Sequence, residues 1–215
     1  MSSASPVIHI VDDDASFLRA TSRLLRASGF AVKTFASATD FFSQRDQDAV
    51  GCLVADLQMP GMDGLELQAA LARTRNPLPI LFLSGHGDIP SSVRAMRGGA
   101  EDFLVKTAPK VVLLDAIRRA VARGARERKT RAQRREANER IATLSERERE
   151  VFGHVICGRL NKQIADDLGV TERTVKYHRQ SITTKLGVPS VAELTRLALE
   201  AGVLAEFPPT FPKGQ

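Results

Sequence analysis

The chain has 215 residues, 43% hydrophobic and 26% charged, with a formal net charge of +6. Such a length suits two small domains, and the composition is that of ordinary folded protein, which excludes a disordered chain. No apolar run approaches the roughly 20 residues that span a bilayer, and the opening MSSASP lacks the basic and apolar parts of a secretory leader. Cys52 and Cys157 lie far apart in apolar-patterned segments, so buried free thiols in a reducing cytoplasm are expected.

In chain order, short apolar runs alternate with helical stripes. Val7–Val11 (VIHIV) predicts a strand, and Phe17, Leu18, Thr21, Leu24 and Leu25 mark a helix that Asp14 can cap and Gly29 stops. Residues 30–35 predict a second strand, and Ser37 caps a short helix through Phe41 and Phe42. A third strand is expected over Cys52–Asp56, a helix over Gly64–Ala72 and a fourth strand over Ile80–Ser84. Ser91–Arg97 predicts a helix closed by Gly98 and Gly99, Asp102–Val105 a fifth strand, and Pro109 opens a fifth helix. Five strand–helix units over residues 5–122 predict an α/β fold: a doubly wound, five-stranded parallel sheet of flavodoxin-like size.

Residues 123–142 hold 8 basic against 3 acidic side chains, whereas residues 1–122 carry 13 of each and residues 143–207 carry 9 of each. The positive surplus thus sits in a connector expected to be a basic helical linker; its continuity with the fifth helix is left open. A run of this kind is most often a solvated helix face, and beside a DNA-binding domain it adds attraction for phosphates. Beyond it, Ser145 with Glu148 spells a capping box for a helix through Gly158. A short helix over Asn161–Leu168, a turn at Gly169-Val170-Thr171 and a longer helix over Glu172–Leu186 spell a helix-turn-helix. Pro189 and Ser190 lead into a last amphipathic helix, and the proline-rich tail over 208–215 is expected to be loose. The second, smaller domain, 143–207, is therefore all-α.

In an open parallel sheet, ligands bind beyond the carboxyl ends of the strands. Those ends carry Asp12, Asp13 and Asp14 after the first strand, Asp56 at the third, Ser84 at the fourth and Lys106 after the fifth. Carboxylates held together repel, and they favour either proton uptake or a hard divalent cation; magnesium, with its preference for one or two carboxylates plus waters and phosphate oxygens, suits this set. Taken singly, Asp14 is a helix cap and Lys106 a surface cation; the coincidence of all these groups at matching strand ends argues for a site. Ser84, His86 and Asp88 offer a competing nucleophilic set. No nucleophile elbow surrounds Ser84, and residues two apart on a loop rarely form a triad.

The motifs VDDD at 11–14, DLQMPGMDG at 56–64, SGHGD at 84–88 and KT at 106–107 resemble a response regulator of the NarL/FixJ type, with a CheY-like receiver and a LuxR-type helix-turn-helix domain. The resemblance runs from about Val7 to Leu204, and D-x-x-M-P-x-M-x-G is its most specific part. It implies that Asp56 accepts a phosphoryl group, that Asp13, Asp56 and the backbone carbonyl of Gln58 hold Mg2+ with Asp12 acting through water, and that Lys106 neutralises a phosphoryl oxygen. Ser84 is the recruited hydroxyl and Phe103 the switch aromatic, although such a phenylalanine taken alone is simply core. Gln58 and His86 stand where the family tunes hydrolytic water. One departure is Lys106-Thr107, where the family has Lys-Pro with a cis peptide. A cis bond before threonine costs about 2.5–4 kcal/mol, so a trans or rearranged loop is expected.

LSEREREV at 144–151, NKQIADDLGVTERTVKYHRQSI at 161–182 and KLGV at 185–188 resemble the LuxR-type DNA-binding family. By that resemblance Lys176, Tyr177 and Gln180 read the major groove, a spacing that shares one helix side. Lys176 suits guanine acceptors, Gln180 an adenine edge, and Tyr177 a thymine methyl or a phosphate. Asn161, Lys162, Arg173, Thr174, His178 and Lys185 suit phosphate contacts or scaffold roles, while Ile164, Val175, Ile182 and Leu186 are core. A protein-binding helical domain would not require TVKYHRQ along an exposed face. The implied partners are double-stranded DNA, a sensor histidine kinase, RNA polymerase and, on activation, a second copy of the chain; no membrane is involved. The chain is read as a regulator and not an enzyme. The competing class is a receiver controlled by protein contact without phosphate.

Overall fold

The computed structural model describes residues 5–85 and 89–207. The expectations placed on His86, on Asp88 and on the tail after Phe207 lie outside the described residues. The described chain divides into two compact units, with the boundary between Arg128 and Lys129, inside the segment expected as a connector.

The first unit runs β1 (Val7–Val11), α1 (Ala15–Ala27), β2 (Ala31–Phe35), α2 (Ala38–Gln44), β3 (Gly51–Asp56), α3 (Gly64–Ala72), β4 (Ile80–Ser84), α4 (Ile89–Arg97), β5 (Asp102–Val105) and the start of α5 (Lys110–Ile141). All five strands are parallel in the order β2-β1-β3-β4-β5, so the order reverses between β1 and β3. The expected doubly wound sheet is the observed one. Strand side chains alternate between two apolar layers, as a period of two demands. Ile8, Ile10, Cys52, Val54, Leu81 and Leu83 pack with Leu25 of α1 and Ile117 of α5. Val11, Leu53, Ala55, Ile80 and Phe82 pack on the other face with Phe41, Leu67 and Ala95 of α2, α3 and α4. Asp14 caps α1 by accepting from the backbone N–H of Ser16 and Phe17, and Ser37 caps α2. The differences from the reading above are at ends: β2 starts one residue later, β3 one earlier, and α4 two earlier at Ile89. Apolar periodicity marks the middle of an element, while its last hydrogen bond depends on neighbours in space.

In the second unit, the later part of α5 is followed by α6 (Glu146–Ile156), α7 (Asn161–Leu168), α8 (Glu172–Leu186), α9 (Val191–Ala201) and a short 3-10 turn over Leu204–Glu206. α5 is one continuous helix of 32 residues, which answers the question of continuity. α6 ends at Ile156 and not at Gly158, because after the Cys157 cap the chain turns left-handed at Gly158, φ 76°. Between α7 and α8 the chain turns through Gly169, at φ 63°, and Thr171 caps α8 by accepting from Thr174 N–H. Ile164, Val175 and Ile182 are fully buried with Val151, Phe152 and Ala198, so the apolar stripes of four helices meet in one core.

Candidate functional site

The acidic pocket lies where the strand order reverses, the place at which open α/β sheets bind ligands. β1 and β3 are hydrogen-bonded neighbours in register, Val11 beside Ala55, so Asp12 and Asp56 leave adjacent strands side by side. Gly64 closes the D-x-x-M-P-x-M-x-G motif for a steric reason: a Cβ there would fall 2.4 Å from the Asp56 carbonyl oxygen and 2.9 Å from the Phe82 ring. Only glycine lets α3 begin against the end of β3.

Asp12 is 1% exposed, Asp56 7% and Ser84 1%, while Asp13 is open to solvent. Asp12, Asp13 and Asp56 each turn a carboxylate oxygen to within 4.8 Å of the others. Lys106 Nζ reaches both buried carboxylates, at 2.7 Å from Asp12 Oδ2 and 2.8 Å from Asp56 Oδ2. The Gln58 N–H donates to Asp56 Oδ1 at 3.2 Å, and the Asp14 N–H to Asp12 Oδ1 at 2.9 Å. Burial raises the Asp12 pKa, an effect that the Lys106 hydrogen bond reduces. Burial also works against the Lys106 charge, but hydrogen bonds to Asp12 and Asp56 outweigh it and raise the ammonium pKa. The pocket therefore holds an ammonium clamped between two carboxylates. Its donors are all oxygen, the set a hard divalent cation selects.

No peptide bond is cis among the described residues, Lys106-Thr107 included. Lys106 nevertheless reaches the pocket, its backbone N–H held by the Ser84 carbonyl at 2.8 Å. A contact that sequence reading missed is Phe17: its ring centre lies 4.5 Å from Lys106 Nζ. Phe17 shows in the sequence only as part of an apolar stripe, and nothing local ties it to a residue 89 positions on. Phe103 is half-buried against the α3–α4 side of the sheet, 6.4 Å between ring centres from Phe82. Exposed Ile89 and Met96 of α4 and Val105 of β5 line a cleft with it, and Val111 and Val112 of α5 are also exposed.

In the second unit, Arg173, Lys176, Tyr177 and Gln180 all stand exposed on α8, with Tyr177 70% exposed. Lys162 is exposed on α7. The other predicted residues are engaged within the fold. Asn161 accepts from Arg179 at 3.0 Å, Thr174 is tied to the Thr171 cap, and half-buried His178 packs its ring 5.8 Å from Tyr177. Lys185 Nζ lies 2.7 Å from Glu148 Oε2, and Ser181 Oγ donates to Glu148 Oε1 at 2.6 Å. Glu148 is also the capping-box residue of α6, receiving the Ser145 N–H at 2.8 Å. These hydrogen bonds, from Lys185 first and then Ser181 and Ser145, lower the Glu148 pKa to about 2. The capping box was legible in the sequence; its second role as the tie between α6 and α8 was not.

Residues 8–118 match the family described as response regulator receiver domain, and residues 142–198 match bacterial regulatory proteins, luxR family. The chain is a response regulator. This response regulator is 44% identical to the response regulator protein TmoT of Ectopseudomonas mendocina, over 92% of the chain and 90% of that protein. It is 42% identical to nodulation protein W of Bradyrhizobium diazoefficiens, over 94% and 89%. To the transcriptional regulatory protein FixJ of Rhizobium meliloti the identity is 38%, over 91% and 96%. Among solved structures, the response regulator StyR matches with a TM-score of 0.79 at 43% identity, covering 92% of this chain and 100% of that one. Full-length FixJ from B. japonicum matches with a TM-score of 0.56 at 38% identity, covering 93% and 98%. A receiver joined to a luxR-family domain makes this response regulator a phosphorylation-dependent regulator of transcription, with DNA and a sensor kinase as implied partners. Control by protein contact without phosphate is not favoured. Among the described residues, no helix is long and apolar enough to cross a membrane.

Proposed function

We propose that Asp56 takes the phosphoryl group, and that the modified receiver pairs with a second copy so that two α8 helices read duplex DNA. The observation that carries this reading is the clamp of Lys106 between Asp12 and Asp56, beside the open carboxylate of Asp13, at the carboxyl ends of the strands. An Asp56 carboxylate oxygen attacks phosphorus in line with the donor's leaving group, and the product is a mixed anhydride that water later hydrolyses. Lys106 passes from the carboxylate to an oxygen of the transferred group, which keeps charge balanced as the bond forms. Asp12, Asp13, Asp56 and the Gln58 carbonyl would hold Mg2+, which when bound supplies further neutralisation of phosphoryl oxygens. Ser84 then meets the new dianion, and Phe103 responds to its movement. Gln58, exposed at the rim, governs the approach of hydrolytic water.

On DNA, Lys176, Tyr177 and Gln180 face base edges, and Arg173 and Lys162 face phosphates. The protein acts as a cytoplasmic regulator that recruits or blocks RNA polymerase. The test is incubation of the full chain with magnesium and acetyl phosphate, followed by intact mass. The parent gains one phosphoryl group and Asp56→Asn, with unchanged circular dichroism, gains none. Equal gain by the variant would make another residue the acceptor.

A further inference from the structure

We propose that the later part of α5 is a component of the DNA-binding unit in which Arg140 positions the recognition helix α8, while Arg134 and Asn138 position α9. The proposal rests on the reading of α8 as the helix that enters the groove. A helix leaves its last carbonyls without intrahelical partners and carries partial negative charge at that end. α8 and α9 both finish on a left-handed glycine, Gly187 at φ 59° and Gly202 at φ 75°. At each end stands a cation from α5. Arg140 Nη2 donates to the carbonyl of Leu186, the last residue of α8. Arg134 Nε donates to the carbonyl of Ala201, the last residue of α9, at 3.2 Å, and Asn138 Nδ2 donates to the same oxygen at 3.1 Å. A Cβ on Gly202 would fall 2.8 Å from the Arg134 guanidinium, so glycine also leaves the room this contact needs.

The same stretch of α5 is anchored by apolar packing. Ala137 and Ile141 are each 2% exposed, and they belong to the cluster that contains Val175, Ile182 and Leu186 of α8. Residues 134, 137, 138 and 141 recur at three- and four-residue spacing, which is one face of a helix. Cations that composition counts as attraction for DNA are therefore occupied at helix ends within the protein. Arg135, by contrast, pairs within its own helix with Glu139 at 3.5 Å, and serves as the control.

The two roles for an arginine differ in salt dependence. A side chain that neutralises a phosphate contributes about 0.9 to the slope of log affinity against log salt, and a helix-end clamp contributes nothing. The test uses the full chain and a duplex that it selects from a random-sequence pool. Arg140→Ala is expected to weaken binding about fivefold or more at constant slope, Arg140→Lys to recover most of the loss by keeping a charged donor, and Arg135→Ala to leave affinity within twofold of the parent, roughly. Circular dichroism at the assay temperature checks that each variant is folded; if the alanine variant is not, Arg140→Gln, which keeps a donor without the charge, carries the same comparison. A slope shallower by about 0.9 in the Arg140 variant, or unchanged affinity, overturns the clamp. Lys176→Ala separates the two readings. If it too leaves binding unchanged, the assignment of α8 fails and the clamp falls with it; if it abolishes binding while Arg140→Ala does not, the clamp alone fails.

Discussion

Lys106 is followed by Thr107 and not by proline, and its restraint comes from side-chain contacts. Asp12 and Asp56 hold its ammonium from one side, and the Phe17 ring lies 4.5 Å from it. A cation over an aromatic face is worth about 0.5–2 kcal/mol, rising as water is excluded. Phe17→Ala is therefore expected to slow phosphoryl uptake from acetyl phosphate by about threefold to tenfold, with Phe17→Tyr close to the parent. A time course of intact mass checks this, and an alanine variant that fills at the parent rate removes the ring from the chemistry. Such a contact leaves no trace in the sequence. Asp12, Asp13, Asp56 and Lys106 were legible because Asp56 ends a strand and the others follow one, and strand ends follow from apolar runs. The grip on Lys106 was not, because it joins α1 to the loop after β5 through folding alone.

At the scale of elements, capping was the most legible feature of the chain, since it depends on residues three or four apart. Asp14, Ser37 and Ser145 all cap as expected. What local reading cannot supply is where a capping residue's remaining valence goes. Glu148 directs it to Ser181 and Lys185, joining α6 to α8. Its pKa in the fold, about 2, lies below the ordinary value of 4.5, so the ionised form is the one the fold favours. That contribution is fully present above the unfolded pKa and is lost as pH falls from about 4.5 toward 2. Because Lys185 is partly open to solvent, it amounts to about 1–3 kcal/mol. Denaturant titrations of the full chain, following the helical unit, should show stability falling through that window for the parent and a flatter profile for Glu148→Gln. Matching profiles would mean that Glu148 does not tie the two helices. The same limit explains the connector: its charge and helical character were legible, but the destinations of Arg134 and Arg140, 67 and 46 residues away, were not.

For the whole molecule, phosphorylation must alter an equilibrium through different affinities for two states. Exposed Ile89, Met96 and Val105 around Phe103 form an apolar face on the receiver, and exposed Leu199 and Val191 offer another on α9. Pairing through these faces would set two recognition helices on half-sites about 34 Å apart, each raising the other's effective concentration. Sedimentation and operator binding with beryllofluoride as the phosphoryl mimic should show a dimer and tighter binding together. A monomer whose DNA affinity does not change would break that coupling. The helix-end arginines carry a further consequence, for the search through a genome. With Arg134 and Arg140 bonded to helix-end carbonyls, two of the connector's 8 basic side chains are drawn away from arbitrary sequence. Each cation so held loosens the grip on bulk DNA, which shortens dwell times at wrong sites and sequesters fewer copies there. The ratio of right to wrong occupancy then rises without any gain in the affinity for the right one.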